Sequence, residues 1–319
     1  TPFWALSMAR LTILDRIILI YIWVRTTIAE HRRWRCRQTE NKTPGVFFGL
    51  DRFPKGDQKV FGGQVKLLDL NTRFTNQRTT PNILYLVSSA LPYFPENMAR
   101  LAKKAGAKLI INQNGVAYPG WHGDGWEKTN IPMRRLLEMA DYVIYQSQFC
   151  KIGADKYLGS YQHLGSEILY NPVDTSKFAP GMGRSVSAAS ATILVAGSHW
   201  SAYRIFVAIE TLSKIRKSFG DASMRIAGRL CWRKKESEAV LEVKQYAKKF
   251  QVDDRVEFYG PYSQQDAPEL MRSCSVLLHT KYNDPCPRLV VEAMACGLPV
   301  VYSATGGVPE LVGDDAGYG

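Results

Sequence analysis

Apolar residues recur along the chain in two alternating periods. The runs GVFFGL (45–50), NILYLVS (82–88) and KLIIN (108–112) are apolar at most positions, the pattern of strands buried on both faces. Over Gln64–Leu70, Glu96–Ala105, Ile131–Ala140 and Gln148–Leu158 the apolar residues return every three or four positions, which predicts helices. Tyr142–Tyr145 and Glu167–Tyr170 add two further strands. The alternation then restarts. Strands are predicted at Thr192–Ala196, Met224–Ala227, Val256–Tyr259 and Val276–His279, and helices at Ala202–Phe219, Glu236–Phe250 and Gln264–Arg272. In Ala202–Phe219 the residues Ile205, Ile209, Leu212 and Ile215 fall on one face. Strands joined through helices pair in parallel with right-handed crossovers. The chain therefore reads as α/β, with two Rossmann-like doubly wound domains whose ligands sit at strand C-termini and face a shared cleft. The expected limits are 44–175 for the first domain, 176–190 for a linker rich in Gly, Ser and Ala, and 191–319 for the second.

Residues 1–43 follow another pattern. LTILDRIILIYIWV is apolar but holds Asp15 and Arg16, and its uninterrupted run, Ile17–Val24, is far short of the ~20 residues of a spanning helix. RTTIAEHRRWRCRQ follows with five arginines, and Trp23 and Trp34 stand nearby. An amphipathic helix with a basic skirt suits an anionic membrane surface, and a packed N-terminal helix is the alternative. No small-residue cleavage site follows the apolar run, so it does not read as a secretory signal.

The densest chemistry lies in NDPCPRLVVEAMACGLPVVYSATGGVPELV, Asn283–Val312. Pro287 suits the first position of a helix that Gly297 and Pro299 end. Val300–Tyr302 then reads as a strand, and Thr305-Gly306-Gly307 as a turn into a further helix. The N–H groups near Arg288, Leu289 and Val290 are expected without intrahelical partners, which with the helix dipole makes a phosphate site. Asp284, Arg288 and Glu292 are spaced by four, so carboxylates stand beside that phosphate, an arrangement suited to a sugar phosphate.

This segment resembles the family 4 retaining glycosyltransferases of the GT-B fold, within the glycosyl transferases group 1, whose signature is E-x7-E followed by A-M-A-C/S-G-x-P-V-V and G-G-V/x-P-E. The chain carries Asp284, seven residues, Glu292, then AMACGLPVV and GGVPE; Asp284 replaces the usual Glu. ADYVIYQSQFC and NPVDTSKF are similar to further family segments, the second being the crossover between domains. The resemblance implies transfer of a sugar, with retention, from a nucleotide-diphosphate sugar to the hydroxyl of a glycan or lipid-linked acceptor. It implies catalytic roles for Asp284, Glu292 and Asn114, the last in the loop QNGVAYPGWHGDGW where the family often has a His. It implies donor contacts at Gly62, Gly63, Ser198, Arg204, Gly228, Arg229, Pro287, Arg288, Leu289 and Val290. The family has a basic residue where Ser198 stands; Arg204 matches the second basic position, and His199 or Arg288 is the candidate to replace the lost cation. The family also continues past GDDAGYG with a returning helix, so the second domain reads as truncated.

At 319 residues the chain has room for about two domains, and 45% hydrophobic with 22% charged residues is a globular composition. A net charge of +12 favours anionic partners. No nucleic-acid recognition motif occurs, so nucleotide sugar and membrane rank ahead of nucleic acid. Six cysteines show neither C-x-x-C nor zinc spacing and read as reduced thiols of a cytoplasmic protein, which the N-terminal segment would make peripheral at the inner membrane face. No cofactor is expected: there is no G-x-G-x-x-G opening, no P-loop and no D-x-D metal site, and the nucleotide sugar is a co-substrate. The alternatives are a sugar-nucleotide epimerase of the same fold, for which the QNG loop offers no carboxylate pair, and a binding scaffold without turnover.

Overall fold

A computed structural model describes residues 12–35, 43–53, 62–161, 165–181 and 191–319. Much of the expected linker, residues 182–190, therefore lies outside the described residues, as do 1–11 and 36–42 of the N-terminal segment, Cys36 included. The chain divides between Tyr170 and Asn171 into two compact units.

The first unit holds α1 (Ile13–Arg33), β1 (Val46–Phe47), α2 (Gly62–Arg73), β2 (Ile83–Val87), α3 (Pro95–Lys104), β3 (Lys108–Gln113), α4 (Pro119–His122), α5 (Trp126–Met139), β4 (Tyr142–Tyr145), α6 (Gln148–Tyr157) and β5 (Gly165–Ile168). Its sheet is parallel in the order β1-β2-β3-β4-β5. Strand alternation divides the core. Phe47, Leu84, Leu86, Leu109 and Ile111 pack with α3, α5 and α6, while Val46, Phe48, Tyr85 and Val87 pack with Leu67 of α2. β1 is shorter than the run 45–50 predicts. The Phe48 N–H donates to Asn76 Oδ1 at 3.1 Å instead of a strand, and Gly49 turns to φ +73°. α5 starts five residues before the predicted Ile131 and runs through Pro132. Buried Asn130 ties it to the preceding loop, bonding both the N–H and the carbonyl of Ala117 at 2.9 Å.

The second unit holds β6 (Thr192–Ala196), α7 (Tyr203–Ile215), β7 (Ser223–Ala227), α8 (Glu236–Lys249), β8 (Val256–Gly260), α9 (Ala267–Arg272), β9 (Val276–His279), α10 (Arg288–Ala295), β10 (Val300–Tyr302), α11 (Val308–Val312) and β11 (Gly317–Tyr318). Its sheet is also parallel, in the order β11-β10-β9-β6-β7-β8. One core layer joins α9, α10 and α11 to the sheet; the other joins α7 and α8 through Ile205, Ile209, Leu212 and Val243. Helices on both faces of each sheet make both units doubly wound.

Candidate functional site

The second sheet reverses its order at β6. The chain moves outward through β7 and β8, then returns to the other flank of β6 as β9. Loops leaving β6 and β9 part there, at the switch point where doubly wound sheets hold their ligands. Arg204, in the first turn of α7, lies in this region and is only 6% exposed. Its Nη2 donates to the Ala196 carbonyl at 3.4 Å and its Nη1 to that of Ser198 at 3.3 Å, while its Nε–H is buried with no hydrogen-bond partner. Thr280, just past β9, donates to the Arg204 carbonyl at 2.9 Å across 76 residues of sequence.

Asp284 is placed beside this group. Its Oδ2 accepts from His279 Nε2 at 3.2 Å and lies 3.2 Å from Lys281 Nζ. Burial would raise the Asp284 carboxyl, but the His279 hydrogen bond and the Lys281 charge overcome it and hold the group at about 2. Burial pulls the Arg204 guanidinium down, against the charge of Asp284. His279 is lowered by burial despite its bond to Asp284. Burial and then the Arg204 charge push His199 down to about 3, so it is neutral at pH 7. His199 therefore does not replace the cation missing at Ser198, as one sequence expectation had it. Lys281, which the sequence reading passed over, is the cation at Asp284. The bare Nδ1 atoms of His199 and His279 are buried without hydrogen-bond partners, as is the Arg204 Nε–H, so two acceptors and one guanidinium donor stand unsatisfied beside Asp284.

α10 begins one residue later than predicted, with Pro287 as its N-cap. The proline carbonyl takes the Val290 N–H at 3.1 Å, a correction that removes Val290 from the N–H groups expected for an anion. The Val290 side chain is core. Arg288 Nε donates to Glu292 Oε1 at 2.8 Å, and Glu292 is buried. Burial first and then the Glu292 charge push Tyr262 up to about 12, against the charge of Arg204. Leu289 is half-buried against the core.

Two glycine positions are dictated by close approach. A methyl group at Gly228 would stand 2.0 Å from the Gly197 carbonyl oxygen, where β6 and β7 end side by side. One at Gly306 would stand 2.6 Å from the Asp284 carbonyl oxygen, which accepts the Gly307 N–H at 2.9 Å. The Arg229 side chain turns to Glu236 at 3.8 Å, while its carbonyl accepts the His199 N–H at 2.9 Å. Asn171 Nδ2 donates to the Cys286 carbonyl at 2.7 Å, tying the crossover segment to the motif loop.

Gly62, Gly63 and Asn114 belong to the first unit. Asn114 Oδ1 accepts from Ser88 Oγ at 2.6 Å, and its Nδ2 donates to Ser89 Oγ at 2.6 Å. A methyl group at Gly63 would meet that same Ser89 Oγ at 2.5 Å, whereas Gly62 faces open space. Gly63 and Asn114, 51 residues apart in numbering, thus meet at the ends of β2 and β3 through two serines that carried no sequence signal beyond ending a strand. Tyr118 and Trp126 pack on Tyr157, at 5.8 and 5.4 Å between ring centroids, leaving Trp121 as the exposed aromatic of that loop.

Residues 187–318 match the family model of the glycosyl transferases group 1. Solved structures of similar fold include Anabaena HepE in complex with UDP, with TM-score 0.60, 20% identity, and 80% of this chain and 66% of that one covered. Sucrose-phosphate synthase of Thermosynechococcus elongatus gives TM-score 0.59 at 15% identity, covering 79% of this chain and 62% of that one. The fold is GT-B. Among curated relatives of this GT-B chain, D-inositol 3-phosphate glycosyltransferase of Salinispora tropica is 38% identical over 64 residues, 20% of this chain and 13% of that protein. The Mycolicibacterium smegmatis protein of that name is 36% identical over 63 residues, 20% of this chain and 14% of that protein.

Proposed function

We propose that this chain transfers a glycosyl group from a nucleoside-diphosphate sugar to an acceptor hydroxyl, with retention at the anomeric carbon and without a bound metal. The observation that carries the reading is the order reversal of the second sheet, where buried Arg204 stands with Asp284, His279 and Lys281. The match of residues 187–318 to glycosyl transferases group 1 supports it. Arg204, Lys281 and the start of α10 supply positive potential for a departing diphosphate. Asp284 and Glu292 are acceptors for sugar or ribose hydroxyls. In the transfer the bond from the anomeric carbon to the phosphate oxygen breaks, and a bond to the acceptor oxygen forms on the same face. The acceptor proton passes to the departing phosphate oxygen. Asn114 and its serines are assigned to the acceptor side, and the acceptor to a glycan or lipid-linked hydroxyl of cell-surface glycan or glycolipid synthesis in the cytoplasm.

HepE was solved with UDP, which makes UDP the first ligand to test. Titration calorimetry in excess chelator should give binding of UDP. Arg204→Gln should weaken it by about ten- to a hundredfold while leaving uridine unchanged, since a charge-assisted hydrogen bond is worth about 1.5–3 kcal/mol. With UDP-sugars as donors, acceptor-dependent UDP release separates a transferase from a binding scaffold, and the anomeric configuration of the product reports retention. No binding of any nucleoside diphosphate, or binding lost equally for uridine and UDP, would sink this assignment.

A further inference from the structure

Among the described residues, α1 is docked by one face and exposed on the other. On the docked side Glu30, Arg33 and Trp34 are buried. Arg33 pairs with Glu30 and Asp51, donates from Nε to the Arg78 carbonyl at 2.9 Å, and lies 3.7 Å from the Phe47 ring centroid. Trp34 Nε1 donates to Glu30 at 2.8 Å, and Thr27 accepts from Asn97 of α3 at 3.1 Å. Both acidic residues of the helix are engaged: Glu30 by Arg33, and Asp15 in a capping box with Thr12.

The outward side carries Ile13, Ile17, Ile20, Val24 and Ile28, spaced by four, three, four and four, all exposed, with exposed Tyr21 beside them. At helical rise this stripe is about 22 Å long. Periodicity sets Arg16 on one margin and Arg25 on the other, both exposed, and exposed His31, Arg32 and Arg35 follow its C-terminal end. No helix among the described residues is long and apolar enough to cross a membrane.

We propose that this outward face of α1 is a docking surface for an anionic lipid bilayer, with the helix lying in the headgroup plane. An apolar stripe margined by arginines buries its aliphatic side chains at the acyl boundary while the guanidinium groups meet lipid phosphates. Charge complementarity selects this occupant: the outward face carries cations and no acid, on a chain of net charge +12. The inference is independent of the glycosyl-transfer reading, because its readout is vesicle binding.

The test is co-sedimentation of the full chain with vesicles of phosphatidylcholine alone and of phosphatidylcholine with phosphatidylglycerol, at low and high salt. Binding should require phosphatidylglycerol and weaken with salt. Ile17→Ser/Ile20→Ser/Val24→Ser and Arg16→Gln/Arg25→Gln/Arg32→Gln should each reduce binding about tenfold or more. Both variants alter exposed groups, so their melting temperatures should match the parent, and the lipid and salt dependence of the parent tests the idea without any variant. Equal binding to both vesicle types, or binding unaffected by either variant, overturns it. So does a dimer in analytical ultracentrifugation that the Ile17/Ile20/Val24 variant dissociates, since the stripe then belongs to a second copy.

Discussion

At the scale of single residues, the second unit holds ionisable groups away from their ordinary values by burial. His199 shows the effect most plainly, with its pKa taken from 6.5 to about 3. The sign follows from proton counting. Between these two values the unfolded chain binds a proton at this site and the folded one does not, so the stability His199 contributes is fully present above pH 6.5 and is lost as pH falls toward 3. The slope for one such group is about 1.4 kcal/mol per pH unit. Asp284 has its carboxyl lowered from 3.8 to about 2, so its contribution is present above 3.8 and lost as pH falls through 2. Urea midpoints measured from pH 7 to 4 should therefore decline for the parent and decline less steeply for His199→Gln, in which buried His279 still resists protonation, whereas Asp284→Asn should keep this decline. A His199→Gln variant that loses stability in acid like the parent would show that His199 is not held neutral. The family resemblance pointed to Asp284 and Arg204 as site residues, but not to their protonation, because that depends on what covers them. His199 was a candidate cation until burial was known.

At the scale of elements, the glycine turn after β10 shapes the loop that presents Asp284. Gly306 adopts φ +81°, and the adjoining Asn283 is also left-handed, at φ +52°. Asn283 is stabilised there by its N–H bond to Thr305 Oγ1 at 3.0 Å. Gly306→Ala introduces both backbone strain and a contact with the Asp284 backbone, so it should destabilise by roughly 1–3 kcal/mol and reduce donor affinity together. Chemical denaturation and ligand titration check this, and parent values in both would remove the turn from the account. The element was legible: Thr305-Gly306-Gly307 reads as a turn from composition alone. Its purpose was not, since the sequence does not say that Asp284, 22 residues earlier, runs beneath it. The helix 288–295 was legible for the same local reasons, a proline at its start and a glycine after its end. Loss of the Val290 N–H to Pro287 was not, since it depends on how tightly the first turn winds.

At the scale of the molecule, each unit has cores of its own. The two clusters of the second unit draw only on residues from Val173 onward, and those of the first only on residues up to Tyr161. Residues 171–319 should therefore fold alone, with a cooperative thermal transition, and should bind UDP within about tenfold of the full chain if the donor site lies wholly in the second unit. A fragment that melts cooperatively but does not bind would move part of the donor site into the first unit. The docked end of α1 makes the opposite point. The sequence offered residues 1–43 as one basic amphipathic segment, whereas among the described residues Arg33 and Trp34 are buried and Ile13–Ile28 presents an apolar outer face. Charge and hydropathy are equal for a docked and a free arginine; the partners Glu30, Asp51 and Arg78 distinguish them.

The sequence by itself determined the alternation of strands and helices, the two α/β units and the segment that carries Asp284 and Glu292. Periodicity, proline and glycine act over a few neighbouring residues and are visible without the fold. Tertiary structure alone decided that β9 pairs with β6 and not with β8, its predecessor in the chain. That pairing brings His279, Lys281 and Asp284 to Arg204 and His199. Strand order is set by which hydrophobic faces cover each other across the sheet, and a buried charge by what it meets there. Both are sums over residues far apart in the chain, so no local pattern records them.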